Sequence, residues 1–346
     1  MRIAAVAIAK DEGPYLADWV HHHLYFGFSH INVWINGTSD SSQRILQQVN
    51  EHHPSVNHRI VDDLMADSRA GAGMFQHLAY DGLARWAERE LISHVAFLDI
   101  DEYWTPVNFR TPVSEFLSET PNADVISFPW YIDEADAERQ PFDMTFTDTQ
   151  KIFANQHVKS IVRRTNRVQK YLTHTALVRD GIKLLVDTPL EIVDETAQAH
   201  GSKVGDAQLT DLKKKFPKAF IYHRMHRAQL EYVATLAKGM AQAGSKLPLK
   251  KNRHGFVNPT GSGLEFRPPA AALESYAASR ARFHDVVGVK DLVSEARAFA
   301  AGRAREVIEL AAKGKVDSTL ADQVLLGVDR DLLSRQAGAL MQASSE

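Results

Sequence analysis

The stretch Val95–Trp104 reads VAFLDIDEYW, four apolar residues followed directly by two aspartates one residue apart. An apolar run without polar alternation is typical of a strand buried on both faces of a parallel sheet. Asp99 and Asp101 would then lie at the carboxyl end of that strand, where open α/β sheets bind ligands.

The acids in this stretch predict a cation. With Glu102 behind them, Asp99 and Asp101 would repel each other unless a positive charge neutralised them. A divalent ion such as Mg²⁺, held by one or two carboxylates and by phosphate oxygens, fits this pattern. The alternative is that the acids cap the following helix or pair with buried arginines.

The composition limits the class of protein. The chain has 346 residues, a net charge of −3 and no cysteine. The lack of cysteine excludes disulfides and thiolate metal sites, and the mixed charge argues against a nucleic-acid partner. Residues 1–9 are too short an apolar run for a signal peptide and fit a first strand. Because no run of about 18 uncharged apolar residues occurs, we expect no transmembrane segment. We expect a cytoplasmic protein, with the inner membrane as a candidate peripheral surface.

The segments before the aspartates alternate between strand and helix patterns. The predicted strands are 3–9, 31–35 and 56–61, and the predicted helices are about 15–26, 41–51 and 74–90. This alternation is typical of a parallel, right-handed wound α/β sheet. The glycine fingerprints of dinucleotide-binding and P-loop proteins are absent, which disfavours both classes.

Several segments, in this order, resemble one known group of enzymes. They are Lys10-Asp11-Glu12 with Tyr15, Leu16 and Trp19; Gly27-Phe28; Asn36-Gly37-Thr38-Ser39-Asp40; and Phe97-Leu98-Asp99-Ile100-Asp101-Glu102-Tyr103. Together they resemble the glycosyltransferase family 2-like and family 92-like group, over residues 3 to about 239. The resemblance implies a GT-A fold, a Rossmann-like α/β domain with an Asp-x-Asp motif that binds a nucleoside-diphosphate sugar.

The resemblance also implies roles for individual residues. Base and ribose would be held by Lys10, Asp11, Glu12, Asn36 and Asp40, and the metal and diphosphate by Asp99 and Asp101. Asp11 stands where the group has Asn, and Ile35 stands where an Asp often precedes the turn, so the nucleotide is less firmly indicated. The alternative for Asn36 and Asp40 is an ordinary turn whose side chains cap the next helix.

The second half of the chain offers a general base. Residues 124–130 fit a strand that leads to Asp133 and Glu134, in the zone where this fold would place an acceptor. Inverting transfer needs a base on the acceptor hydroxyl, and a carboxylate is the usual choice. The alternative is that both acids are solvated loop residues. Lys159, in the strand-like segment 157–164, could contact a phosphate or the acceptor, or lie on a solvated basic face.

A later strand predicts a further metal ligand. Residues 219–223 end in His223, and with residues 224–239 they resemble the histidine-containing tail of the same group. His223 could therefore reach the ion held by Asp101. Because imidazole suits Mn²⁺ better than Mg²⁺, the resemblance favours Mn²⁺, with Mg²⁺ as the alternative. His21, His22 and His23 point in three directions on a helix and are not expected to share a metal.

The composition changes after residue 242. We expect a GT-A catalytic domain at 1–242, a basic loop, lid or linker at 243–267, and a helical region at 268–346. Helices are predicted at about 270–286, 289–313 and 318–342. This C-terminal appendage could pack on the catalytic domain, form a homo-oligomer or contact a polymeric acceptor.

These observations favour one function over two others. The favoured one is metal-dependent, inverting transfer of a sugar from a nucleoside-diphosphate sugar, UDP by preference, to a glycan or lipid-linked acceptor. One alternative is a metal-dependent phosphatase or phosphotransferase with Asp99 as its nucleophile. The other is a protein that binds a sugar nucleotide without catalysis, which analogy of fold does not separate from an enzyme.

Overall fold

The computed structural model describes residues 1–67, 72–120, 122–186, 188–189, 203–238 and 249–343. The strands are β1 (Ile3–Ala9), β2 (His30–Ile35), β3 (Val56–Ile60), β4 (His94–Phe97), β5 (Glu102–Pro106), β6 (Val125–Asp133), β7 (Gln150–Arg163), β8 (Val168–Tyr171), β9 (Ala176–Val178), β10 (Lys183–Leu185), β11 (Thr188–Pro189), β12 (Ala219–His223) and β13 (Leu264–Phe266). The helices are α1 (Gly13–Tyr25), α2 (Ser42–His52), α3 (Asp62–Asp67), α4 (Ala72–Arg89), α5 (Val113–Ser118), α6 (Asp206–Leu212), α7 (Gln229–Leu236), α8 (Ala270–Val287), α9 (Lys290–Ala312), α10 (Ser318–Val324) and α11 (Arg330–Ala343).

One mixed sheet organises the molecule. Strands β3, β2, β1 and β4 lie side by side and parallel. Strand β7 follows antiparallel to β4, and β6 is antiparallel to β7. The far edge of β6 pairs in parallel with β10 along its first half and with β12 along its second half. Strand β5 is antiparallel to β12, so β12 lies between β5 and β6.

Strand β4 is apolar because each of its two faces packs against a hydrophobic core. In β4, Val95 and Phe97 belong to one core cluster, whereas Ala96, like Leu98 just after the strand, belongs to another on the opposite face. Both faces are therefore covered, as the apolar run at 95–98 predicts. Helix α4 packs against one face of β1 and β4, so the ends of these strands are left to form a site.

The C-terminal helices are built onto the α/β part. Tyr276 and Phe283 of α8 belong to the same hydrophobic cluster as the sheet residues. Arg280 of α8 donates two hydrogen bonds to the Asp18 carboxylate of α1, at 2.7 and 2.8 Å. The helical region thus shares a core with the sheet and packs on the α/β part. None of the described helices is long and apolar enough to cross a membrane.

Several predicted boundaries differ from those in the structure. Strand β6 continues to Asp133, so this residue lies in a strand and not in the loop that follows it. The helix predicted at 318–342 is two helices, α10 and α11, separated near Gly327, whose φ of +77° is left-handed. The segment predicted as a loop or linker at 243–267 contains β13, paired with β7. Residues 239–248, which belong to the predicted motif tail and lid, lie outside the described residues.

Candidate functional site

Asp101 and His223 meet at the ends of two strands. Asp101 lies in the turn between β4 and β5, and His223 is the last residue of β12. Because β12 runs antiparallel to β5, with Glu102 opposite His223, the imidazole Nε2 lies 3.5 Å from the Asp101 Oδ2. The N–H of Arg224 donates to the Asp101 carbonyl at 2.8 Å, which holds the end of β12 against the turn.

Neighbouring positive charges keep the Asp101 carboxylate ionised. Burial alone would raise the pKa of Asp101. The opposing effect of His223 and, more weakly, of Arg227 and Arg253 is larger, so the pKa lies well below its ordinary value. Asp101 is therefore ionised at neutral pH. The Nδ1 of His223 is buried without a hydrogen-bond partner among the described residues. Over the same part of the chain, no group of three or more His, Asp or Glu side chains is arranged to hold a metal ion.

Asp99 is held by a buried lysine. The Lys159 Nζ lies 3.1 Å from the Asp99 Oδ2 and 3.1 Å from the Glu102 Oε2, and the Lys159 side chain is fully buried. Burial lowers the pKa of Lys159, but the two carboxylates raise it above its ordinary value. The Asp99 side chain is itself 47% exposed. The buried Lys159 thus holds the turn after β4 in place and does not lie on a solvated face. Its contact with a phosphate stays a prediction.

Cationic side chains surround the Asp101 pair. Lys238 lies 2.6 Å and Arg227 3.6 Å from the Glu12 carboxylate. Burial, together with the neighbouring charges of Arg253 and Lys238, lowers the pKa of Lys250 to about 7. Two arginines and two lysines, of which Lys250 is only partly protonated at neutral pH, therefore share this region with the carboxylates of Glu12 and Asp101. This clustering of basic side chains favours an anionic ligand.

The segment that carries Lys250 and Arg253 is part of the folded core. Leu249 before it and Phe256 after it are buried in the cluster formed with α7, α9 and α10. The Lys250 N–H donates to the Leu236 carbonyl at 3.0 Å. The described part of the predicted lid is therefore packed in place.

Asp133 anchors the loop that follows β12. Its carboxylate is fully buried and accepts the N–H groups of His226 at 2.8 Å and Arg227 at 2.7 Å, while Arg139 lies 3.1 Å away. Burial raises the pKa of Asp133, but the contacts with His226 and Arg139 lower it below its ordinary value. Through these bonds Asp133 positions Arg227. Its predicted role as general base is untested, because a base must also reach the acceptor hydroxyl.

Glu134 is the more accessible of the two predicted bases. It follows β6 directly, and its Oε1 accepts a hydrogen bond from the Lys151 Nζ at 2.8 Å. Both side chains are partly exposed, so the interaction is weak and readily exchanged for water. The catalytic role of Glu134 stays a prediction as well.

The loop after β1 is tied to the turn after β2. Asp11 has a left-handed φ of +50°, and its N–H donates to the Thr38 Oγ1 at 3.2 Å. Its Oδ1 accepts the Ser39 N–H, and its Oδ2 lies 2.7 Å from the Nη1 of Arg303 in α9. Lys10 lies beside Gly37. The two segments predicted to hold base and ribose are thus adjacent.

Asp40 has a capping role in this loop pair. Its Oδ2 accepts the Gly13 N–H at 2.8 Å, and its Oδ1 accepts the Ser42 N–H at 2.9 Å. It therefore contacts the first residues of both α1 and α2, as the capping alternative predicts. Asn36 is buried, and its N–H donates to the Ala9 carbonyl at 3.1 Å. Whether either also contacts a nucleotide stays a prediction.

Two residues beside these segments were missed by sequence reasoning. Arg303 gives no local signal, because its partner Asp11 lies near the other end of the chain. Trp130 lies with its ring centroid 4.3 Å from that of His223. A tryptophan directly after Pro129, near the end of a predicted strand, is a signal that could have identified it.

Comparison with known proteins assigns the family. The crystal structure of HddC from Yersinia pseudotuberculosis is similar at 13% identity over 51% of this chain and 77% of that chain, with a TM-score of 0.25. These values support no functional statement. No curated protein sequence matches the chain. The model of glycosyltransferase family 92 matches residues 9–186, more than half of the chain. This chain therefore belongs to glycosyltransferase family 92 and is a glycosyltransferase.

Proposed function

We propose that this glycosyltransferase uses a nucleoside-diphosphate sugar, with UDP as the preferred nucleotide, in a donor site of the GT-A type. The acceptor is a glycan or a lipid-linked glycan, and the reaction inverts the anomeric centre. The observation that supports this proposal best is the Asp101–His223 pair, 3.5 Å apart at the ends of two strands. The base and ribose would lie over Lys10–Glu12 and the turn at 36–40.

The charge around the pair supports a diphosphate ligand. Basic side chains near the pair include those of Arg227, Lys238, Lys250 and Arg253. A diphosphate would place negative charge among these four groups, where burial strengthens each interaction. As the bond to the sugar breaks, additional charge develops on the departing nucleoside diphosphate. Cations that are already positioned stabilise that charge without reorganising.

The same pair fits a divalent ion. Asp101 is ionised, and the His223 Nε2 faces it, so a carboxylate and an imidazole would both contribute to one ion. This donor set suits Mn²⁺, and Mg²⁺ is the alternative. Diphosphate oxygens and water would supply the other ligands. When bound, the ion would neutralise charge on the leaving diphosphate. Asp99 would contact the ion or the donor through its exposed carboxylate.

The acceptor hydroxyl needs a base near β6. Glu134 is partly exposed and lies directly after that strand, and it would accept the proton as the new bond forms. Asp133 is the second candidate, but in the structure its carboxylate binds the loop that carries Arg227. Comparing Glu134→Gln with Asp133→Asn separates these roles, since loss of a positioning residue also weakens donor binding.

The proposal is tested by thermal shift of the purified chain. UDP, GDP, CDP and dTDP are each added with and without Mn²⁺ to the wild type, to Asp101→Asn and to the exposed control Asp148→Asn. A ligand at a hundredfold excess over its dissociation constant stabilises a protein by about 2.7 kcal/mol. We expect UDP with Mn²⁺ to raise the melting temperature of the wild type and the control, but not of Asp101→Asn. No rise with any of the four nucleotides would contradict the donor site.

A further inference from the structure

The indole of Trp130 lies next to the Asp101–His223 pair and contacts three imidazole rings. The ring centroid of Trp130 is 4.3 Å from that of His223, 5.1 Å from that of His157 and 5.1 Å from that of His174. Trp130 is partly exposed, whereas the other four tryptophans of the chain are buried. Trp130, His157 and His174 therefore form one partly exposed aromatic surface beside the proposed donor site, in which the indole N–H is buried without a hydrogen-bond partner among the described residues.

A break in strand pairing creates this surface. Pro129 pairs with Val158, but Tyr131 pairs with Ala154, so residues 155–157 of β7 have no regular partner opposite Trp130. On its other edge Trp130 pairs with Ile221 of β12. Irregular pairing of this kind redirects side chains and is common beside active sites. Here it brings Trp130 and His157 together.

The imidazoles of His157 and His174 each offer a hydrogen-bond acceptor. The His157 Nδ1 lies 2.9 Å from the Asn155 Oδ1, and the His174 Nδ1 lies 2.9 Å from the Val158 carbonyl. Both partners are acceptors, so each Nδ1 bears the hydrogen and each Nε2 is left with a lone pair. Burial lowers the pKa of both rings, which keeps them neutral at pH 7. No described residue bonds to either Nε2.

We propose that Trp130, His157 and His174 form the acceptor subsite, and that the acceptor contacts it with a pyranose ring. This inference rests on the proposed function. The apolar C–H face of a sugar would cover the indole, and its hydroxyl groups would donate to the two Nε2 atoms. An alkyl chain would cover the indole equally well but would leave both nitrogens unpaired, which is costly. The surface therefore selects the carbohydrate part of an acceptor.

Tryptophan fluorescence tests binding directly. The probes are methyl β-glycosides of galactose, glucose and N-acetylglucosamine and their β1,4-linked disaccharides, added to the full chain with UDP and Mn²⁺. We expect at least one to change the emission of the wild type and of the control Trp86→Phe, whose indole is buried in the core. Trp130→Phe should show no change.

Transfer kinetics provide a second measurement. In Trp130→Ala we expect the acceptor KM to rise about tenfold, the effect of losing an aromatic contact and its buried area. The donor KM should rise less than the acceptor KM, since the indole contacts the donor site only through its packing against His223. A thermal shift with UDP and Mn²⁺ equal to that of the wild type shows that the variant is folded.

Three outcomes would overturn the acceptor subsite. One is an unchanged acceptor KM in a folded Trp130→Ala. Another is the absence of any fluorescence change with every glycoside in protein that still binds UDP. The third is a change with a UDP-sugar but with no glycoside, which would assign the surface to the donor sugar. Failure of all nucleotides to bind the wild type would instead contradict the proposed function, so the two failures are distinguishable.

Discussion

Replacing Arg303 by Met would remove the contact between the C-terminal helices and the loop after β1. The Nη1 of Arg303 lies 2.7 Å from the Asp11 Oδ2, and the two side chains are 18% and 1% exposed. Asp11 lies within the family-matched residues 9–186, whereas Arg303 lies outside them. We infer that each of these two charges stabilises the other in its buried position. Together they hold the loop that is proposed to bind the donor.

The size of the effect follows from burial. Arg303→Met leaves a nearly inaccessible carboxylate without its cation, which costs about 3–5 kcal/mol of unfolding free energy. Asp11→Asn should cost only about 1–2 kcal/mol, because an amide oxygen can still accept the Ser39 N–H and the partly exposed Arg303 can be hydrated. The double variant lacks both charges, so its cost should be well below the sum of the two single ones.

A double-mutant cycle by urea denaturation measures this dependence. We expect a coupling free energy of about 2 kcal/mol between Asp11 and Arg303, within the range of residues in direct contact. Donor KM should follow the same order, with Arg303→Met worst and the double variant partly restored. A coupling below about 0.5 kcal/mol would refute the reasoning, because it would mean that the two charges act independently.

Three other perturbations give distinct outcomes. Asp101→Asn should lower kcat/KM by about 100-fold or more without altering the near-UV circular dichroism spectrum, since it removes a charge used at the site and not in the core. Burial lowers the pKa of Lys250 to about 7. Between about pH 7 and 10.5 this lysine is therefore protonated in the unfolded chain but largely neutral in the folded one. Lys250→Met should therefore be more stable than the wild type at pH 7, by about 2 kcal/mol or more in urea denaturation, and this difference should shrink as the pH rises toward 10.5. The variant should also bind UDP more weakly. Lys159→Met leaves Asp99 and the buried Glu102 without a counter-charge, so its unfolding free energy in urea should fall by about 3–5 kcal/mol; an unchanged value would contradict the buried ion pair.

Much of the first half of the fold could be predicted from the sequence. The run at 95–98 and strand β1 are apolar on both faces because helices cover both sides of the sheet there. That signal is local and requires no knowledge of distant partners. The split between α10 and α11 was missed, since their shared helical pattern hides the interruption near Gly327.

The proximity of Asp101 and His223 was predictable because each lies at or just after the carboxyl end of a strand. Asp101 and His223 each follow an apolar run, and the carboxyl end of a strand is a position that the sequence reveals. Lys159 lies within a strand pattern, which does not distinguish a solvated lysine from one that is buried between two carboxylates. Arg303 depends on contacts between distant parts of the chain. The indole of Trp130 depends on a pairing irregularity that propensity does not encode.

The position of β12 has a consequence for biosynthesis. Strand β12 pairs with one edge of β5 and with the second half of β6. The ribosome synthesises it only after the whole family-matched segment, which ends at residue 186. A nascent chain that had emerged only to about residue 186 would hold Asp101 without His223 and would expose two unpaired strand edges. Such edges recruit other chains and promote aggregation. We therefore expect truncation at the family boundary to yield insoluble, inactive protein, so that a library of shortened clones should give soluble transferase only when β12 is included.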